Sequence, residues 1–449
     1  MADELGATAG LATALVLAVI GSMLLTASKH HERTLGFHIK LFLGAFLVRY
    51  LMSVIIYQGG LIHVIKDEDG SVWSVGIAYR NAWMSRGLTL LDLPMECLDA
   101  FTKRNLGYTY LLGVTYYITG PARLPAAALN CFFGSVTIVY ACRIAETLFS
   151  DKIGRQVGLW LCFFPSMIIW SAQTIKEPVV IMLEVIGLYA CVRLRRQGFS
   201  VVYLAICAVC IVLMIPFRFY AAYVTTAAVV LASIVPKTTS NQTKVGPVIG
   251  ALIILGFLVS SGAMASKSAS TEGFDLKYME KYRKNLASGG SGVKVEGDIR
   301  TPGGMGRALV VGGAHLLLAP FPWQMRGARA IMMSPEQLFW WWLFVRGVVP
   351  GMIYTVRTRF FEILPILIFL MGFGILYSLT FGNVGLAYRQ RAQLLPGLMV
   401  FGAVGLERRR LLQQAGLSAG SRAGAELLHR APTLDREMAN VYHGPDELY

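Results

Sequence analysis

The chain has 449 residues, 55% of them hydrophobic and only 15% charged, with a mean hydropathy of +0.56 and a formal charge of +15 at pH 7. Soluble domains of this length rarely carry so much apolar sequence, whereas repeated runs of the ~20 residues needed to cross a bilayer explain it at once. The positive charge does not point to nucleic acid, because Lys and Arg sit in short clusters between apolar runs and no basic helix or aromatic RNA-binding motif is present.

Taken in chain order, Leu11 to Ala27 is a first span. Asp3 and Glu4 stand where a secretory signal would be basic, so this run is expected to be retained. Lys29, His30, His31, Arg33 and Lys40 form a basic turn, cytoplasmic by the positive-inside rule, before a second span from Ile39 to Tyr57. The polar stretch from Lys66 to Trp83 is then expected to be an external loop, with Asp67, Glu68 and Asp69 held at the membrane surface beside Gly70, Trp73 and Tyr79. Tyr108 to Thr119 is apolar but too short to span, which predicts a helix lying in the interface.

Pro125 to Phe149 and Gln156 to Ala172 are the next spans, joined by a basic turn with Lys152 and Arg155. The tip Gln173-Thr174-Ile175-Lys176-Glu177-Pro178 is external by parity, and Val179 to Val192 returns to the cluster Arg193, Arg195 and Arg196. Ser200 to Phe217 and Phe219 to Val235 read as a helical pair with Arg218 at its outer turn, and Val245 to Met264 rises again. Ala265 to Met305 is a Gly-, Ser- and Lys-rich external segment, with Ser291 in a setting that suits a flexible linker or a substrate contact, followed by an amphipathic stretch from Arg307 to Trp323. Leu338 to Val356 and Phe360 to Phe381 form another pair. The outer turn after them carries Arg389 and Arg391, and Leu394 to Leu406 descends to Arg408, Arg409 and Arg410.

The expected fold is an all-α polytopic membrane protein of about eleven spans, its external loops carrying short interfacial helices. Residues 1–37 form an extra N-terminal helix and basic turn, and 38–264 the membrane core with its first external loop at 58–124. An external loop with an interfacial helix occupies 265–336, C-terminal membrane helices 337–406, and a cytoplasmic, partly disordered tail 407–449. No internal repeat is visible, which argues against the inverted-repeat transporters. Seven cysteines, six of them within apolar runs, imply neither a disulfide framework nor a metal site, and His63 and His315 lack metal-ligand spacing.

On this topology the external edge collects Asp67, Glu68, Asp69, Lys176, Glu177, Arg218, Arg389 and Arg391. Carboxylates facing cations suit an acceptor hydroxyl that must lose a proton and a phosphate leaving group that must be stabilised. Each has a plainer reading: a solvated acidic turn, a helix-end ion pair at Lys176 and Glu177, and a snorkelling arginine at Arg218.

The sequence resembles the C-type integral-membrane glycosyltransferases (GT-C), in particular bacterial relatives of the protein mannosyltransferase and aminoarabinose transferase families. The likeness rests on the acids Asp67 to Asp69 followed by Trp73, on Asn105-Leu106-Gly107-Tyr108, on Asn130 with Gly134, on Pro165 to Glu177, on Pro320 to Trp323 and on Asn383 to Pro396. It implies inverting transfer from a polyprenyl-phosphate sugar, a donor substrate needing no cofactor, to a glycan, lipid or protein acceptor on the extracytoplasmic face of a bacterial plasma membrane. It further implies Asp69 as the base, with Glu68 and Asp67 as alternatives, and substrate contacts from Lys176, Glu177, Arg218, Arg389, Arg391, Tyr108 and Asn105. Two features depart from the group: an additional N-terminal span and three acids where one or two are usual. Two rivals remain, a polysaccharide polymerase or ligase acting on pyrophosphate-linked glycans and a flippase for a lipid-linked sugar.

Overall fold

The structure, a computed structural model, describes residues 6–28, 32–65, 70–92, 100–234, 276–289, 291–294, 296–325 and 328–414. Among these the chain is helical throughout. Helix α1 (Ala7–Ala27) exposes Leu15, Val16, Val19, Met23 and Leu24 and buries Gly10, Ala14, Gly21 and Leu25, a single helical stripe of mostly small residues. That stripe permits contact too close for a side chain: a Cβ at Gly21 would lie 2.1 Å from the Phe42 ring of α2 (Glu32–Gln58), and one at Gly10 would lie 2.6 Å from Leu124. Large apolar residues facing outward and small ones facing inward are the pattern of a helix in lipid, where association rests on packing and not on hydrophobicity.

Among the described residues five helices are long and apolar enough to cross a membrane: Ala7–Ala27, Arg33–Gln58, Arg123–Leu148, Val201–Ala232 and Ser334–Leu379. A sixth candidate is a bent pair, α6 (Asp151–Phe163) and α7 (Pro165–Ser171), meeting at 60°. The expected straight span from Gln156 to Ala172 is therefore corrected to a broken one. Pro165 drives Phe164 out of the helical region to φ −73°, ψ 116° and offers no N–H of its own.

Helix α3 (Gly70–Arg86) corrects a second expectation, because most of the stretch read as a loop is helical. Gly76, Tyr79 and Trp83 fall on one face and pack against α4 (Ala100–Thr119), with Trp73 edge-on to Tyr116 at 4.9 Å and Trp83 edge-on to Tyr110 at 5.6 Å. Aromatics at helical spacing form the seam between these two helices. The predicted interfacial helix at Tyr108–Thr119 begins earlier, at Ala100.

Helix α5 (Arg123–Leu148) runs through the centre of the bundle and buries almost its whole circumference. Helix α8 (Glu177–Gln197) packs against it and against α9 (Val201–Ile234). α9 is two helices in one: Arg218 leaves helical geometry at φ −161°, ψ 86°, two residues after Pro216. A Cβ at Gly187 of α8 would touch both Cys210 at 3.6 Å and Thr225 at 3.5 Å. Residues 15 apart can share one neighbour only if the arms fold back at Arg218, as in the predicted pair.

The segment expected to be external is in part helical where it is described. It holds α10 (Leu276–Ala287) and α11 (Pro302–Leu318), and Ser291 Oγ lies 2.9 Å from Asn383 Oδ1 beside a backbone bridge between Gly292 and Asn383. Helix α12 (Ala328–Leu343) passes through a π turn at Phe344–Val348 into α13 (Val349–Leu379), which breaks at Arg359. The last described helix, α14 (Val384–Gln414), corrects the expected turn around Arg389 and Arg391, placing both on its first turns. Asn383 sets its start, its Oδ1 accepting from the Leu386 N–H at 3.1 Å. The expected span Val245–Met264 and the tail from residue 415 onward lie outside the described residues.

Candidate functional site

Three chain segments distant in sequence meet at one carboxylate. Glu177 stands at the start of α8, immediately after the tip 172–176, and its side chain is 4% exposed. Arg218, at the turn of α9, donates from Nη2 to Glu177 Oε1 at 2.6 Å, and Arg389, from α14, donates from Nη2 to Oε2. One carboxylate thus spans two guanidinium forks, each charge-assisted bond being of the strong class.

The cluster continues inward along α8, α13 and α14. Tyr377 hydroxyl lies 3.5 Å from Arg218 Nη1 and hydrogen-bonds to Gln393 Oε1, and Gln393 Nε2 donates to Glu184 Oε1 at 3.1 Å. Glu184 is fully buried, and its other oxygen, Oε2, has no hydrogen-bond partner among the described residues. Tyr220 packs its ring 5.5 Å from the Arg218 guanidinium. Lys176, half-buried, precedes Glu177; burial, and then the neighbouring Arg218, bring its ammonium from an ordinary 10.5 down to about 8. Two arginines and a lysine against Glu177 leave the tip with a surplus of positive charge, an arrangement suited to an anion.

The tip is held from below. Asn130 Nδ2 donates to the carbonyls of Gln173 at 2.6 Å and Ile175 at 2.8 Å and to the Tyr108 hydroxyl at 2.9 Å. Tyr108, expected among the substrate contacts, is 1% exposed and joins this support beneath the tip. Tyr57 hydroxyl accepts from the Thr174 N–H at 3.1 Å, and Arg123 lies over both Tyr57, at 5.9 Å, and Trp73, at 4.5 Å. Through Trp73, Arg123, Tyr57 and Thr174, the start of α3 is linked to the tip bearing Lys176. On the other side a Cβ at Gly107 of α4 would meet the Pro216 carbonyl carbon at 2.8 Å, setting α4 against the turn that carries Arg218.

Lys176, Glu177, Arg218 and Arg389 are accordingly gathered together. Arg391 is not among them: it is fully buried on the opposite side of α14, with Nη1 3.0 Å from the Ala319 carbonyl, Nη2 3.0 Å from Gln337 Oε1, and Glu336 Oε1 3.7 Å away. Asp67, Glu68 and Asp69 lie outside the described residues, as does the side chain of Asn105.

Glu184 and Gln393 escaped the sequence reading. Glu184 is a lone carboxylate inside an apolar run, seven residues and two helical turns from Glu177, and Gln393 follows Arg389 by one turn. Both signals were present as helical spacing. Neither a protein-family model nor a curated protein matches this chain.

Proposed function

We propose that this protein is a GT-C-like glycosyltransferase that moves a sugar from a polyprenyl-phosphate donor to an extracytoplasmic glycan, lipid or protein acceptor, with inversion. The observation that carries the reading is the clamp of Arg218 and Arg389 on Glu177 beside Lys176, with cations in excess of anions at the end of the bundle remote from the Arg195 and Lys152 clusters. Guanidinium forks can take the non-bridging oxygens of the lipid phosphate and stabilise it as it leaves. Asp69, four residues before Trp73 in the chain, would take the proton of the acceptor hydroxyl as the new glycosidic bond forms at the anomeric carbon. Arg391 would act by holding α14 in place.

The bundle supports a GT-C-like reading with about eleven spans. α9 folds back at Arg218 and α13 breaks at Arg359, so two long apolar helices would each count twice. α8 and α14 would complete the set with the apolar run at residues 245–264.

The test is mass spectrometry of surface glycans and lipids from cells lacking the protein and cells carrying the wild type, Asp69→Asn or Arg389→Ala. A glycan product that disappears without the protein and with both variants, while the variants accumulate normally in the membrane, supports the proposal. Full product with Asp69→Asn overturns the assignment of the base and favours a polymerase or ligase. Movement of labelled lipid-linked sugar across vesicles with no new glycosidic bond overturns the enzyme reading.

A further inference from the structure

At the opposite end of the bundle, three side chains of different chemistry converge that belong to no part of the outer cluster. His38 comes from α2, whereas Cys142 and Glu146 stand one turn apart on α5. His38 Nε2 lies 3.1 Å and 3.0 Å from the two Glu146 oxygens, Cys142 Sγ lies 3.3 Å from Glu146 Oε1, and the three donor atoms all fall within 4.8 Å of one another. His38 and Cys142 are fully buried and Glu146 is 8% exposed.

We infer that His38, Cys142 and Glu146 form a binding site for a zinc-class divalent cation that joins α2 to α5. Imidazole nitrogen, thiolate sulfur and carboxylate oxygen are the three donor types that Zn²⁺ accepts, whereas Ca²⁺ and Mg²⁺ take oxygen sets. Tetrahedral bonds of ~2.0–2.3 Å place donors ~3.3–3.7 Å apart, so the two separations to Glu146 need to widen by only a few tenths of an ångström, while His38 Nε2 and Cys142 Sγ, within 4.8 Å of each other, need to close by at most about 1 Å. Three protein donors are one short of a tetrahedral set and leave the fourth position to water.

The surroundings reserve the space for the carboxylate. A Cβ at Gly154 of α6 would lie 2.2 Å from Glu146 Cγ, so only glycine lets α6 pass there. The neighbouring cations have partners of their own: Arg143 Nη2 donates to Ser28 Oγ at 2.8 Å, Lys152 pairs with Glu407, and Arg155 lies over the Phe37 ring at 5.3 Å. Binding would take a proton from the thiol and leave the imidazole neutral.

The test uses the full chain in detergent, purified on an affinity tag free of histidine. Zn²⁺ is added, the excess removed and the remaining metal measured. In parallel, Co²⁺ is added and the near-ultraviolet thiolate-to-cobalt band recorded. The inference expects about one zinc per chain, a cobalt band that Cys142→Ser abolishes, and at least a tenfold loss of zinc affinity in His38→Ala or Glu146→Gln. Zinc should also raise the melting temperature of the wild type and not of Cys142→Ser. Folded wild-type protein that retains no stoichiometric zinc, or a cobalt band that survives Cys142→Ser, overturns it; the wild-type measurement decides even if a variant fails to fold.

Discussion

Arg389 and Arg391 stand two residues apart on one helix and serve opposite sides of it, the first binding Glu177 and the second lying 3.0 Å from Gln337 Oε1 and 3.7 Å from Glu336 Oε1. Two residues turn a helix by ~200°, so adjacent-looking arginines must have separate duties. Arg389→Ala should reduce transfer at least tenfold and cost less stability than Arg391→Ala, because Glu177 keeps its bond to Arg218. Arg391→Ala leaves the buried Glu336 without its cation and should cost about 3–5 kcal/mol of stability. Melting curves and product yield for the two variants check this; equal effects on both readouts would contradict the division.

Glu177→Gln should destabilise the outer cluster by a comparable amount, because it strips the shared partner from two guanidinium groups close to Lys176. If the cluster is built to receive an anion, inorganic phosphate should restore part of the loss by taking the place of the carboxylate. The check is the phosphate-dependent rise in melting temperature, expected to be larger for Glu177→Gln than for the wild type. A rise no larger than that of the wild type would assign the cluster to structure alone.

The sequence made the apolar helices and the charged tips legible: parity put Lys176, Glu177, Arg218 and Arg389 on one edge, but it put Arg391 there too, which packs instead against Ala319, Gln337 and Glu336. It concealed α3, since Gly70, Ser71 and Gly76 read as loop formers while the stripe of Gly76, Tyr79 and Trp83 repeats at helical spacing. It also concealed the start of α14, where hydropathy stays low until Leu394 although Asn383 already caps the helix. His38 with Cys142 and Glu146 was out of reach because the contact spans 108 residues, and only the one-turn spacing of Cys142 and Glu146 is local.

The Lys176 ammonium, brought down to about 8 by burial and the nearby Arg218, makes two pH trends run in opposite directions. Anion binding needs the charged form, so transfer at subsaturating donor should decline as pH rises through about 8. The unfolded chain binds this proton up to its ordinary 10.5, so between about 8 and 10.5 the unfolded state holds more protons and stability from this group increases with pH. Rate and melting profiles from pH 7 to 10 are the measurement, with Lys176→Met expected to flatten both contributions.

The crossing of α13 and α14 positions Arg389, and it is made of backbone. A Cβ at Gly351 would fall 2.0 Å from the Phe401 carbonyl oxygen, and one at Gly405 would fall 2.0 Å from the Gly347 carbonyl oxygen. A flexible side chain could yield to such an intrusion, but a helical carbonyl cannot without moving its helix. Gly351→Val and Gly405→Val should therefore each destabilise the protein by about 1–3 kcal/mol or more through overpacking. They should also reduce transfer, although neither residue touches the outer cluster, because a shifted α14 carries Arg389 away from Glu177. Gly374, whose Cβ would meet nothing within 4 Å on the same α13, is the control, and Gly374→Ala should leave both stability and transfer close to the wild type.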